Sequence, residues 1–366
     1  MKRRPSKLLH VGRVPVGGGS PVSVQSMTNT RTSDADATLA QIRELAELGC
    51  DIIRCAVPDA ASAEAMRRIV AESPIPVIAD IHFDWRLALE SIRAGVHGVR
   101  INPGNIGGAD RVRAVAEAAG EAGIPIRVGA NSGSLPKGSF EAKYAASGDH
   151  DRAMAEALCE AVETQIRILE DCRFHDIKVS LKASSVPVMA AAYRMFAERS
   201  EYPLHLGVTE AGTSYRGILK SAAGIGALLL DGIGDTIRVS LTAPPREEVR
   251  AGIALLEVCG LRDASPEIVS CPTCARTEYD LIGMAGRVED FVASVKASGR
   301  KIGVKKIAVM GCVVNGPGEA KDAELGLAGS KDGRVALFRH GVLFANLPQE
   351  EAFEALKREI LSSATD

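Results

Sequence analysis

From residue 22 onward the chain repeats one unit eight times: a short run rich in β-branched residues, then an amphipathic stretch with apolar positions three and four apart. The strand-like runs are VSVQSM, DIIRCAV, PVIADIHF, GVRINPG, PIRVGANS, DIKVSLKAS, LHLGVTEAG and TIRVSLT. Between and after them lie helical patterns such as DATLAQIRELAELG, WRLALESIRAG, MAEALCEAVETQIRILEDC and REEVRAGIALLEVCG. Successive βα units predict a (β/α)8 TIM barrel over roughly residues 20 to 262, near the ~250 residues typical of that fold. The alternative, an open doubly wound sheet, is disfavoured by the number of units and by the lack of a GxGxxG after the first strand. No GxxxxGK[ST] occurs either, so nucleotide binding has no local support. After VCGLRDASPEIVS the pattern changes, to strand-like KKIAVMG and RVALFRHGVLFANL and a last helix QEEAFEALKREIL. The chain therefore reads as α/β, with a TIM barrel in residues 1–263 and a small α+β domain in residues 264–366.

In such barrels ligands sit at the carboxyl ends of the strands, so the polar residues where each run gives out are the informative ones. Here they are Asn29, Arg54, Asp80 and His82, Arg100 and Asn102, Arg127 and Asn131, Lys182, Glu210, and Ser240. Any one of the cations is satisfied by a neighbouring carboxylate as readily as by a ligand, and Asp80 and Glu210 are the candidate partners. Taken together, Arg54, Arg100, Arg127 and Lys182 exceed what two carboxylates neutralise in a partly dry mouth. An anionic ligand with more than one charged group is the economical counterpart; Arg forks suit phosphate oxygens, and Asn102, Asn131 and Ser240 offer neutral donors. His82 and His205 read equally as core or rim histidines. A formal net charge of -2 means that this positive field is local, which argues against nucleic acid as a partner. With no apolar h-region at the basic amino terminus and no run long enough to span a bilayer, the reading is a soluble, cytoplasmic protein without a membrane partner.

Eight cysteines in a chain read as cytoplasmic are expected to be reduced thiols. Cys50, Cys55, Cys159, Cys172 and Cys259 lie on apolar segments and read as core filler. The others form SCPTCART, with Cys271 and Cys274, and GCVVNGPGEA, with Cys312. A lone CxxC suits a zinc knuckle, a redox dithiol or part of a cluster. Three thiolates are what an iron-sulfur cluster needs when its remaining iron takes a different ligand. Structural zinc completed by His340 stays open, and with it a binding protein that carries a phosphorylated metabolite.

SCPTCART and GCVVNGPGEA, behind a barrel carrying DIIRCAVP, PVIADIHFD, GVRINPGN, RVGANSGS, KVSLKAS, GVTEAG and RVSLT, resemble the bacterial 4-hydroxy-3-methylbut-2-enyl diphosphate synthases almost end to end. The likeness is to their two-domain form. It implies a [4Fe-4S] cluster on the second domain, held by Cys271, Cys274, Cys312 and Glu319. The implied reaction is reductive ring opening of 2-C-methyl-D-erythritol 2,4-cyclodiphosphate to the linear allylic diphosphate with loss of water, in the non-mevalonate isoprenoid pathway. Residues matching the family's substrate contacts are Arg54, Asp80, Arg100, Asn102, Arg127, Asn131, Lys182 and Ser240, with Asn315 from the cluster loop. Glu210 matches an acidic residue placed in proton transfer, provided that burial keeps it protonated. Flavodoxin or ferredoxin as the one-electron donor, and a homodimer in which one subunit's cluster domain covers the other's barrel, follow from the same resemblance.

Overall fold

The β-branched runs become the strands of one closed parallel sheet. The computed structural model describes residues 2–262, 266–312 and 323–365, and the chain forms two compact units, Met1–Arg262 and Asp263–Asp366. A hairpin, β1 (Leu9–Val11) and β2 (Val14–Val16), precedes the barrel strands. These are β3 (Ser23–Met27), β4 (Ile52–Ala56), β5 (Val77–Asp80), β6 (Val99–Arg100), β7 (Ile126–Asn131), β8 (Ile177–Lys182), β9 (His205–Leu206) and β10 (Thr236–Ile237). Their order is β8-β7-β6-β5-β4-β3-β10-β9, all parallel, and the Val179 N–H donating to Pro203 O at 2.9 Å, beside the Val179–Leu204 bridge, joins the two ends. The expected barrel is what forms.

The helices follow the predicted stripes: α1 (Ala35–Glu47), α2 (Ala60–Glu72), α3 (Trp85–Arg93), α4 (Ala109–Glu121), α5 (Ser139–Ser147), α6 (His150–Asp171), α7 (Val186–Ala197), α8 (Ser214–Leu230) and α9 (Pro245–Val258). Several begin where a short acidic side chain caps the first turn, as Asp34 does for Ala37 N at 3.0 Å and Asp59 for Ser62 N at 2.7 Å. Helix α5 is not foreseen, because SFEAKYAAS has no apolar stripe and buries none of its residues. It is held on α6 by Lys143–Glu160 at 2.8 Å and by the rings of Phe140 and Tyr144, which meet His150 at the start of α6 edge-on.

The amino-terminal hairpin is also a structural addition. Val11 and Val16 are fully buried against Ile52 and Ile78, which stand at the start of β4 and β5, so the hairpin plugs the amino-terminal end of the barrel. Behind it, Arg3 pairs with Asp235 at 3.1 Å, and Arg4 donates to the carbonyls of Ser200 and Tyr202. The basic start of the chain is thus spent on the fold.

The second unit is α+β. Its sheet runs β11 (Glu267–Ser270), β13 (Lys306–Met310), β14 (Leu325–Ser330), β15 (Arg334–Arg339), β16 (Val342–Pro348), parallel across the first three strands and antiparallel thereafter. A two-residue strand, β12 (Lys301–Ile302), pairs with β17 (Ala364–Thr365). Helices α10 (Leu281–Ala297) and α11 (Gln349–Ser363) cover the sheet with Met284, Val288, Val292, Phe353, Leu356 and Ile360, packed on Ile307, Val309 and Leu337.

Val16→Asp tests the plug. It forces a carboxylate without a partner between Ile52 and Ile78, and a loss of roughly 3 kcal/mol is expected in urea unfolding of the purified protein.

Candidate active site

The inward face of a barrel strand repeats every second residue, and in most such barrels those positions carry Val, Ile and Leu. Here they carry charge. Arg54, Asp80, Arg127 and Lys182 are 7%, 3%, 4% and 8% exposed, although an isolated ion at such depth is strongly disfavoured. Asp80 resolves part of the problem: its carboxylate meets Arg54 Nε at 3.4 Å and Arg100 Nη1 at 3.3 Å. Burial pushes Asp80 up, but Arg54, Arg100, Arg127 and His82 together outweigh it and hold the carboxyl below its ordinary value. Arg54 also lies against the Met27 thioether, with Nη2 to Sδ at 3.0 Å.

Among the described residues Arg127 has no carboxylate partner. Its Nη1 donates to Ser180 Oγ at 2.9 Å, while its Nε is buried with no hydrogen-bond partner. Gly129 makes this possible, since a Cβ there would lie 2.1 Å from Ser180 Oγ. Gly207 plays the same part for Lys182: a Cβ would sit 2.9 Å from Nζ, so only glycine lets the lysine pass β9. Burial first, and then Arg127, Arg54, Arg238 and Arg100, push Lys182 well below its ordinary value. Burial lowers Arg54 to about 10 and Arg127 well below its usual value, but guanidinium keeps its proton, so the lysines are the groups that give way.

The other expected residues lie around this column. Asn102, Asn131 and Ser240 are partly buried where β6, β7 and β10 end, and Asn102 Oδ1 accepts the Gly104 N–H at 3.0 Å. Asn29 is committed elsewhere, bonded in both directions to Gln41 at 2.9 and 2.7 Å. His82 is exposed, whereas His205 is fully buried low in the barrel, with both ring nitrogens lacking a partner. Glu210 corrects two expectations. It is exposed, with a left-handed φ of 52°, so this unit alone does not bury it. Nor is it the second carboxylate of the mouth. That place is taken by Glu248 of α9, which meets Arg238 Nη2 at 3.3 Å and accepts the Leu241 N–H at 2.9 Å.

Strand ends alone do not reveal Arg238, Glu248, Ser180 and Lys178. Period-two alternation would have found three of them, since Lys178 and Ser180 share a face with Lys182, and Arg238 with Ser240. A cleft of about 460 Å³ lies elsewhere on the barrel, lined by Lys7, Arg167, Arg199 and three glutamates, so it lacks the charge imbalance of the interior.

In the second unit, parallel pairing of Ser270 with Val309 brings the carboxyl ends of β11 and β13 side by side. Cys271 therefore emerges beside Gly311 and Cys312, and its Sγ accepts the Gly311 N–H at 3.2 Å. Cys312 is buried, whereas Cys274 lies on an exposed turn closed by its own N–H to Thr277 Oγ1 at 3.2 Å. The Arg276 backbone N–H, with its side chain, holds the Cys274 thiol below its ordinary value. No three metal-capable side chains are gathered into one group among the described residues. Asn315 and Glu319 lie outside those residues. What is present fits a soft metal centre: two thiols at adjacent strand ends, one already receiving a backbone N–H, and a third that gives up its proton readily.

Residues 6–253 match the family model of the GcpE TIM-barrel domain, and residues 267–362 that of the GcpE protein C-terminal domain. The chain belongs to the GcpE family. Proteins named 4-hydroxy-3-methylbut-2-en-1-yl diphosphate synthase (flavodoxin) are among its relatives. That of Geobacter sulfurreducens is 51% identical, with 97% of each chain covered. Those of Ruminiclostridium cellulolyticum and Dehalococcoides mccartyi are 49% and 50% identical, each covering 98% of this chain and 98% and 99% of theirs. No helix among the described residues is long and apolar enough to cross a membrane.

Asp80→Asn is the direct test of the interior. Because the native carboxyl is held low, its contribution to stability is present above the ordinary pKa of about 3.9 and is lost as pH falls through the native value. The variant is expected to lose about 3 kcal/mol at neutral pH and to show a flatter fall in stability below pH ~4, both read from urea unfolding across pH.

Proposed function

We propose that this chain catalyses the two-electron ring opening of 2-C-methyl-D-erythritol 2,4-cyclodiphosphate to (E)-4-hydroxy-3-methylbut-2-enyl diphosphate. The observation that carries the reading is the excess of buried cations over carboxylates in the barrel. A cyclic diphosphate brings the paired anionic groups that Arg127 and Lys182 lack, and Arg54 and Arg100 are already oriented by Asp80 to add bidentate contacts. Asn102, Asn131 and Ser240 stand where neutral donors would fix the ring. In the reaction a ring C–O bond breaks, a hydroxyl departs as water, and two electrons and the matching protons enter. Glu210 is the proposed proton donor; since it stands exposed on the rim, it requires cover from another part of the protein.

Cys271, Cys274 and Cys312, with Glu319 as an oxygen ligand, would hold a [4Fe-4S] cluster, and Asn315 of the same loop would approach the substrate. Such a cluster, when bound, supplies electrons one at a time, and a carboxylate leaves one iron more readily exchanged than a thiolate does. With no nicotinamide or flavin fingerprint in the sequence, the electrons come from an external carrier, flavodoxin or ferredoxin. A homodimer with each barrel covered by the other chain's second unit would provide the cover that Glu210 requires.

Turnover of the cyclic diphosphate without oxygen, driven by a one-electron reductant, is the deciding experiment. Protein prepared anaerobically is expected to be brown and to contain iron and sulfide; a colourless protein with stoichiometric zinc sinks the assignment. Glu319→Ala is expected to abolish turnover with both units folded, and unchanged activity removes the carboxylate from the mechanism. Mixing Lys182→Ala with Glu319→Ala protein tests the dimer. With sites shared across chains, about a quarter of wild-type activity returns after subunit exchange, whereas self-contained sites give none.

A further inference from the structure

Beneath the proposed substrate site the barrel holds a second, deeper cation. Lys178 stands two inward positions below Lys182 on β8 and beside Arg127, its register neighbour on β7. It is 1% exposed, and its Nζ has no hydrogen-bond partner. Around it lie other buried polar atoms in the same condition: Gln25 Nε2 and Oε1 on β3, Arg127 Nε on β7, both His205 nitrogens on β9 and Thr236 Oγ1 on β10. Of the described carboxylates only Asp235 acts on it, raising its pKa without outweighing burial and the arginines, and none bonds it. Asp80 is shared by Arg54 and Arg100, and Glu248 is taken by Arg238. Asp235 is held by Arg3 at 3.1 Å, Ser6 at 2.8 Å and the Leu204 N–H at 2.8 Å. From α7, Tyr193 spends its hydroxyl on His205 O at 2.6 Å. Below, Val11 and Val16 of the hairpin close the barrel.

We propose that Lys178 is a proton reservoir for the anion site: it takes up a proton when an anionic ligand enters above it and releases one when the ligand leaves. The inference rests on the anionic substrate class proposed above. Arg54, Arg100, Arg127 and Arg238 keep their charge, so the adjustable charge falls to amines and imidazole. Burial first, and then Arg127 and Arg54, bring Lys178 down to about 7, so at neutral pH it is poised between forms. His205, lowered well below its ordinary value by burial and by Lys182 and Arg127, stays neutral throughout. A polyanion bound to Lys182 and Arg127 reverses the local field and favours the ammonium form. Lys178 is too deep to meet the ligand's oxygens; it is a positioning residue that adds a charge to the site only when that charge is balanced. The step is H⁺ from solvent plus a neutral amine giving an ammonium, with no electron transferred.

Calorimetric titration of the oxidised holoenzyme with the cyclic diphosphate tests this, since without a reductant only binding occurs. Repeating it in buffers of different ionisation enthalpy between pH 6 and about 8.5 gives the protons taken up per ligand. In the wild type uptake is expected to rise with pH around a midpoint near 7. Lys178→Met is expected to lose about half a proton of that uptake at pH 7 and about nine tenths at pH 8. The sign follows from the bound state holding more protons. Above pH 7 this group makes wild-type affinity fall by up to about tenfold per pH unit, and the variant lacks that slope. Heats that do not depend on the buffer, uptake that is flat with pH, or a methionine variant with undiminished uptake would each overturn the proposal. If the methionine variant does not fold, Lys178→Gln is titrated in its place, with the same loss of uptake expected and undiminished uptake again overturning the proposal, because Lys182 is also lowered and the wild-type profile alone does not separate the two lysines. Failure of the ligand to bind at any pH is a separate result, which removes the substrate reading and this proposal with it.

Discussion

The pairing of Asp80 with two guanidiniums is the interaction on which the barrel interior depends. The interior of a parallel barrel is a packed core rather than a pore, so each buried cation must be paired, displaced or stripped of its proton. Asp80 settles Arg54 and Arg100, and Glu248 settles Arg238 from outside the sheet. What remains, Arg127 with Lys178 and Lys182, is a deliberate imbalance that folding tolerates because the lysines can shed protons and Ser180 takes one guanidinium arm. The imbalance is what supports the anionic ligand proposed for the site.

That interior also explains features that look unrelated to function. Gly129 and Gly207 are inward positions left without side chains so that Ser180 and Lys182 have room. The hairpin of β1 and β2 supplies the apolar floor that an interior full of charge cannot provide for itself. In the second unit, parallel pairing of β11 and β13 brings cysteines some forty residues apart in sequence to a common strand end, where a backbone N–H already faces Cys271. In the barrel the strands themselves carry the charged residues, whereas in the second unit the strands position the cysteines, which are carried on the segments that follow.

Much of this was legible from residue order. The alternation of β-branched runs and three-four apolar stripes is a local property, and it sufficed for every barrel strand and for the barrel helices whose one face is buried; α5 escaped because it buries nothing, and α10 of the second unit was not foreseen although it buries Met284, Val288 and Val292. The cationic mouth was legible too, since Arg54, Arg100, Arg127 and Lys182 interrupt runs that are otherwise apolar. Glu210 and Glu248 show the limit. Both are acidic residues near strand ends or loops, and only the folded chain reveals that the first is exposed with a left-handed backbone while the second, from a helix, reaches Arg238 just after β10.

By itself, then, the sequence determined the repeating unit, the class of barrel, the two cysteine motifs and the cluster of cations at the strand ends, because each follows from periodicity or from residue chemistry at short range. Tertiary structure decided which carboxylates neutralise which cations, which lysine lies beneath another, and that the basic amino terminus serves the fold. Those depend on barrel closure and strand register, which bring together residues as far apart as Arg3 and Asp235, and on a burial that no local pattern records.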